Sequence, residues 1–274
     1  MTAFSVNALP ERLRHWLRAL SSAQYRHEAL ELRRLAAMAR YTQTTTTLLG
    51  PPFIVPDALS FIHSHREIFR NRLYEFRTKR RDPVILDCGA NIGLSVLYFK
   101  QLYPNSRVLA FEADPQIFGL LAANCAACAL VGVELINKAV WTADVMLDFA
   151  QEGADAGRMP QPGEVGNVIS VEACRLRDFL LQQPVDMLKL DIEGAETAVL
   201  LDCADALDSV QHVFVEYHSF VSEPQTLAAL LGVLTNAGFR FHIQTISPCE
   251  RPFMVRQVYL GMDLQLNIFA WRPQ

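Results

Sequence analysis

"VILDCGANIGLSVLYF", residues 84–99, reads as a strand, a tight turn and the start of a helix. Val84–Leu86 form a continuous apolar run, as in a strand buried on both faces. Gly89, Asn91 and Gly93 then fall at every second position after Asp87. The glycines allow a sharp turn and close approach of a ligand to the backbone. Asn91 suits a left-handed backbone position better than most non-glycine residues. From Leu94 the pattern is helical.

The same alternation continues outward. "RVLAFEADP" (107–115), "VELINKAVW" (133–141), "VDMLKLDIEG" (185–194) and "HVFVEYHS" (212–219) read as strands. "QIFGLLAANCAACAL" (116–130), "AETAVLLDCADAL" (195–207) and "QTLAALLGVLTNAGF" (225–239) read as helices. Apolar strands alternating with helices predict a parallel sheet covered on both faces. The last strands, "RFHIQTI" (240–246) and "LNIFAWR" (266–272), have no clear helix between them and predict an antiparallel hairpin at one sheet edge. Residues 151–167, with four glycines and two prolines, read as a long loop. Residues 9–40 read as an amphipathic helix, with Leu13, Trp16, Leu17 and Leu20 on one side and arginines opposite.

Composition narrows the class. The chain has 274 residues, 51% of them hydrophobic, enough for one large domain with an added arm. Its net charge of −4 gives no chain-wide footprint for nucleic acid. No run of about 18 apolar residues predicts a membrane span. The six cysteines lie mostly in apolar stretches, as reduced thiols of a cytoplasmic protein do. Cys125 and Cys128 form a single C-x-x-C on a predicted helix, which reads as packing rather than a zinc or redox site.

The turn also constrains its ligand. Glu112 ends the next strand, 23 residues after Gly89, where a carboxylate can accept hydrogen bonds from two ribose hydroxyls. A dinucleotide loop would read G-x-G-x-x-G, with the pyrophosphate on the helix N-terminus. Here the spacing is D-x-G-x-N-x-G. An acid at Asp87 would repel a pyrophosphate and suit an ammonium group. S-adenosylmethionine therefore fits better than NAD.

"LDCGANIG" and "LKLDIEGAE", with "VLAFEADP", "INKAVW" and "VFVEYHS", make residues 50–272 resemble the FkbM-type S-adenosylmethionine-dependent methyltransferases. The resemblance implies a class I methyltransferase fold: a Rossmann-like α/β domain with a seven-stranded, mostly parallel sheet and a reversed last strand. It implies a domain over 49–274 behind an N-terminal helical arm, 1–48. It implies methyl transfer to a hydroxyl of a sugar, glycan, glycolipid or polyketide-like product. By motif, Asp87, Gly89, Ala90, Asn91 and Gly93 would hold the methionyl part, Glu112 and Ala113 the ribose, and Asn137–Ala139 the adenine. A homo-oligomer formed through the arm is a further expectation.

In "LKLDIEGAE" (188–196), Asp191 ends a strand whose carboxyl end should face the ligand. Glu216 and His218 share one side of the next strand. Asp191, Glu216 and His218 are therefore the candidate catalytic residues, with His218 suited to base chemistry near neutrality. The same three residues are the candidate ligands for a divalent ion such as Mg²⁺, which would acidify the acceptor hydroxyl. Lys189 reads as a counter-charge, and Glu196 as a helix start. Glu193 stays undecided. The alternatives are an NAD-dependent oxidoreductase and a cofactor-binding module without catalysis.

Overall fold

A computed structural model describes residues 23–151, 157–158, 167–246, 248–255 and 257–273. The arm residues before Ala23, including Leu13, Trp16, Leu17 and Leu20, lie outside the described residues. The arm's described helix, α1 (Ala23–Ala36), buries Leu35 in the same core as the domain. The hairpin β1 (Thr44–Thr46) and β2 (Phe53–Val55) spans the expected boundary at 48/49. Then α2 (Ala58–His65) starts on an Asp57 cap and runs into a π-turn over Arg66–Arg70.

The central sheet has seven strands, as expected. They are β3 (Val84–Cys88), β4 (Arg107–Phe111), β5 (Val133–Ile136), β9 (Val185–Leu190), β10 (Val210–Phe220), β11 (Arg240–Thr245) and β12 (Met262–Trp271). Their order is β11-β12-β10-β9-β3-β4-β5. Only β12 runs against its neighbours, inserted between β10 and the edge strand β11. The chain leaves β3 toward β4 and β5, then returns to β9 on the other side of β3. Such a reversal opens a crevice beyond the carboxyl ends of the strands.

Both faces are covered, as the unbroken apolar strands require. Every residue of β3 and of β9 is buried. Leu86 and Cys88 pack with α6 (Glu196–Asp202) and α7 (Leu227–Asn236). Ile85, on the opposite face, packs with α3 (Leu94–Leu102) and α4 (Pro115–Ala127).

"VELINKAVW" is not one strand. Asn137 Nδ2 donates to the Glu112 and Ala113 carbonyls at 2.8 and 3.2 Å, and the chain turns there. The second half, β6 (Ala139–Trp141), joins β7 (Met146–Ala150) and β8 (Val168–Arg175) in a separate three-stranded sheet, and α5 (Leu176–Gln182) follows it.

One buried side chain ties these layers together. Asn124 on α4 accepts from Ile54 N–H at 2.7 Å and donates to the Ile54 and Ile92 carbonyls at 3.0 and 2.9 Å. It joins β2, the turn after β3 and α4. Asn124→Ala leaves those backbone groups unpaired and is expected to destabilise the fold by about 2–4 kcal/mol. Denaturant unfolding measures this, and an unchanged midpoint would show that the three bonds contribute nothing net.

Candidate active site

The turn after β3 is built against the end of β9. Gly89 has φ +83°, and a Cβ there would stand 1.9 Å from the Asp191 carbonyl oxygen. Backbone meets backbone at that point, so only glycine fits. Asn91 takes the left-handed conformation expected of it, φ +49°. The Glu112 carboxylate closes the turn: Oε2 accepts from Asn91 N–H and Oε1 from Asp114 N–H, both at 2.9 Å. Burial pushes Glu112 up to about 7, against the pull of those two N–H groups.

Two cavities flank this turn. One, about 870 Å³ of space with its open mouth included, is lined by Glu112, Ala113, Ala139, Trp141, Phe149, Arg158, Asp191 and Glu193 among others. The other, about 560 Å³ counted in the same way, is walled by Ser60, Phe61, Tyr74, Ala90, Ser95 and Lys189. Gly89, Asn91 and Asp191 line both. Gly157 and Arg158, described residues in the middle of the long loop, line the larger cavity.

The charged residues pack as one network. Lys189 is 2% exposed. Its Nζ lies 3.2 Å from Asp87 Oδ1 and 3.3 Å from Asp191 Oδ2, and donates to the Gly89 carbonyl at 2.8 Å. Burial would lower its pKa, but Asp87 and Asp191 outweigh burial and hold it well above the usual lysine value. β10 pairs with β9 only as far as Val215, so Glu216 and His218 lie beyond the strand they follow. His218 Nδ1 lies 3.0 Å from Glu196 Oε1. Its Nε2 lies 3.3 Å from Gln265 Nε2, 3.5 Å from Glu216 Oε1 and 3.6 Å from Glu193 Oε2. Burial would depress the imidazole pKa, yet Glu193 and Glu196 prevail and raise it well above the ordinary value.

A family model, the methyltransferase FkbM domain, matches residues 87–241. The chain belongs to the FkbM methyltransferase family. Methyltransferase 1 of Beauveria bassiana is 30% identical over 177 residues, 56% of this chain and 71% of that protein. The 2-O-methyltransferase NoeI of Sinorhizobium fredii is 27% identical over 159 residues, 51% of this chain and 65% of NoeI. The 31-O-demethyl-FK506 methyltransferase FkbM of Streptomyces tacrolimicus is 26% identical over 204 residues, 61% of this chain and 78% of that enzyme. The crystal structure of a methyltransferase FkbM from Methylobacillus flagellatus superposes with a TM-score of 0.50 at 14% identity, over 74% of this chain and 46% of that one, and shows the shared fold. The chain thus spans less than half of that protein.

Within this FkbM methyltransferase, Gly89, Ala90, Asn91, Glu112, Ala113, Ala139 and Asp191 stand on cavity walls, as the sequence suggested. Five residues do not, and Gly93, buried at the head of α3, is the first of them. Asp87, expected to meet a methionyl ammonium, has no exposed surface; its carboxylate turns under the loop to Ser95 Oγ, at 2.5 Å, and to Lys189. Asn137 shapes the wall from behind by holding the end of β4. Glu216 and His218 line neither cavity. His218, expected as a base, is enclosed by three glutamates, and Glu193 and Glu196 outweigh burial to raise its pKa well above the ordinary value. Glu196 does start α6, and it also accepts from the Ile192 and Gly194 N–H groups while holding His218.

The expected metal set is altered too. Among the described residues, Asp191, Glu193 and His218 bring donor atoms within 4.8 Å of one another, with Glu193 in the place expected for Glu216. A histidine ligand must be neutral, and the acids around His218 favour its charged form. Glu193, left undecided by sequence, has φ +54° and lines the larger cavity. A left-handed glutamate costs about 1–2 kcal/mol, and outliers of this kind cluster at functional sites. Its E-G dipeptide at a strand end was the available signal.

The network has a signature in stability. Glu193 is pushed up to about 8, chiefly by burial, and burial also raises Glu112 and Asp191. With His218, the folded protein therefore binds more protons than the unfolded chain between about pH 4.5 and 8. The stabilisation is present at the acid end and fades as pH rises through the folded values. Buried His65, whose pKa is lowered, opposes this near neutrality. Thermal melts at constant ionic strength should show the ligand-free protein losing stability from pH 5.5 to 8. A melting temperature that climbs over that range would contradict the assigned protonation.

Proposed function

We propose that the protein transfers a methyl group from S-adenosylmethionine to a hydroxyl of a small molecule, such as a sugar, glycan or glycolipid, or a polyketide-like product. The observation that carries the reading is the meeting of two cavities at Gly89, Asn91 and Asp191, beyond the carboxyl ends of β3 and β9. One cavity suits the nucleoside and the other leaves room on the far side of the same turn. NoeI and FkbM, which it resembles, are named as O-methyltransferases. Their acceptors differ, so the hydroxyl chemistry carries over and the acceptor itself does not.

The cofactor fits the donor set. Each Glu112 oxygen accepts one backbone N–H and retains a lone pair toward the cavity, as two ribose hydroxyls require. Ala113, Ala139 and Trp141 wall the space for the base, and the Gly89–Asn91 backbone borders the methionyl end. The bound cofactor supplies a methyl group already activated by its sulfonium charge. The protein's task is then alignment, which can contribute about 7–11 kcal/mol, and removal of the acceptor's proton, about 10²–10⁴-fold. Asp191, at the junction, borders both partners. No helix among the described residues is long and apolar enough to cross a membrane. A net charge of −4 gives no chain-wide attraction for nucleic acid.

Calorimetry with S-adenosylhomocysteine tests the site. Glu112→Ala should weaken binding by roughly ten- to a hundred-fold, the worth of hydrogen bonds to a charged group, about 1.5–3 kcal/mol. Unchanged affinity would remove Glu112 from the site, and binding of NADH instead would favour the oxidoreductase. A screen of hydroxylated acceptors with methyl-labelled cofactor identifies the substrate. Activity found there should survive excess EDTA if the acids act without a metal; loss reversed by Mg²⁺ would restore the metal reading.

A further inference from the structure

A third concavity lies away from the turn. On the sheet face that packs on α3 and α4, cover thins beyond β10. Phe214 is buried there, but Phe269 on β12 is only partly covered and Trp271 is 37% exposed. Register puts His242 and Gln244 of β11 on the same face, and both are exposed. A sheet of this kind is normally covered on both faces. The result is a groove of about 1040 Å³, counted with its open mouth. Met187, Phe214, Phe269 and Trp271 make its floor, and the segment from Arg72 to Arg77, between the π-turn and β3, makes its wall. It shares Tyr74 with the smaller cavity and no residue with the larger one, so it is a site apart from the turn.

The lining is aromatic and its rings hold one another. Phe214 meets Tyr74 at 4.9 Å and Phe269 at 5.3 Å, both edge to face, and Phe76 lies 5.4 Å from His212. The rim is cationic. Between residues 66 and 81 the chain carries seven cations and two acids, although its net charge is −4. Ion pairs offset part of that excess: Glu28 takes Arg70 at 2.5 Å, Glu75 takes Arg72 at 2.7 Å, and Asp186 faces Arg80 at 3.6 Å. The one acid on the groove wall, Glu75, is thus engaged by its neighbour. Arg77 on the same wall is exposed and joins no ion pair among the described residues.

We infer that this groove is a second binding site, for a single-chain anionic amphiphile. Its hydrocarbon chain lies on Phe214, Phe269 and Trp271, and its phosphate or carboxylate meets Arg77. The floor offers apolar rings with few polar groups, which suits a hydrocarbon, since each buried methylene is favourable. The rim offers a planar guanidinium, which matches a carboxylate or phosphate with two parallel donors. An uncharged polyol suits neither part, and a cation would be repelled by the rim. The inference does not depend on the methyltransferase reading, because the groove stands apart from the turn.

Calorimetry of the full chain with dodecyl phosphate, kept below the concentration at which it forms micelles, tests the site. One molecule should bind per chain, and absence of saturable binding overturns the inference. Decyl phosphate, two methylenes shorter, should bind about tenfold more weakly. Arg77→Glu should weaken dodecyl phosphate roughly ten- to a hundred-fold, the worth of hydrogen bonds to a charged group. Equal affinity in either comparison overturns the assignment. S-adenosylhomocysteine should not displace the probe; displacement would put the probe at the turn instead. Hydroxyl-radical footprinting of the wild-type complex depends on no variant folding. Trp271 should be oxidised several-fold more slowly with the probe bound, and an unchanged rate counts against the groove. Vesicles of phosphatidylglycerol that bind when the monomer does not would mean adsorption to a lipid surface. A ligand-free dimer with Trp271 already shielded would mean that a second copy covers this face. Either result overturns the inference.

Discussion

The structure turns on a contact between two backbones. β3 and β9 are adjacent and parallel, and the turns that leave them must share one small space. Gly89 meets the Asp191 carbonyl where any side chain would collide. Lys189, from the same β9, reaches across to donate to Gly89's own carbonyl and to neutralise Asp87 and Asp191. A buried lysine with only one of those acids would be costly, and two acids without it costlier still. Both cavities open from this joint. The position of the turn, and so of anything bound against it, is set by a glycine and a lysine that bring little chemistry of their own.

The architecture was legible because its signals were redundant. Continuous apolar strands, helices at regular intervals and a short final hairpin each pointed to one doubly covered sheet, and no other arrangement satisfies all three. The parts that were not legible lacked that redundancy. β7 and β8 flank a loop rich in glycine and proline, and most of β7 and the first half of β8 are at least partly exposed, so no apolar run marks them. "VELINKAVW" carried a uniform strand pattern, yet Asn137 captures two carbonyls at the end of β4 and ends the strand. A side chain that bonds to a distant strand leaves no trace in local periodicity.

The turn and the strand ends of the candidate site were legible, and the depth of its side chains was not. The glycine turn, Glu112 and Asp191 stood out because backbone conformation and strand ends limit which residues can occupy them. Asp87 and His218 lie off the cavity walls for one reason. Alternation along a strand says which side a residue takes, but not how deep it lies or what else reaches it. Asp87 points under the turn toward α3, and His218 into a ring of glutamates drawn from β10, α6 and the turn between β9 and α6. Glu193 stayed undecided for the opposite reason: its turn abandons strand alternation, and the E-G dipeptide marks a turn without saying where the side chain faces.

That ring bears on what the site can accept. Asp87, Asp191, Glu193, Glu196 and Glu216 are five carboxylates against two cations, Lys189 and His218. Fully ionised, the network would hold an excess of negative charge in surroundings largely shut off from water, which is unfavourable. Burial therefore pushes Asp191 and Glu193 toward their protonated forms, and these are the two that face the cavity. The imbalance does not favour a neutral or anionic ligand at that wall, since neither would offset it. A cation would, and would do so most strongly beside Asp191 and Glu193. A positively charged methyl donor is complementary to the network for the same reason that a pyrophosphate is not.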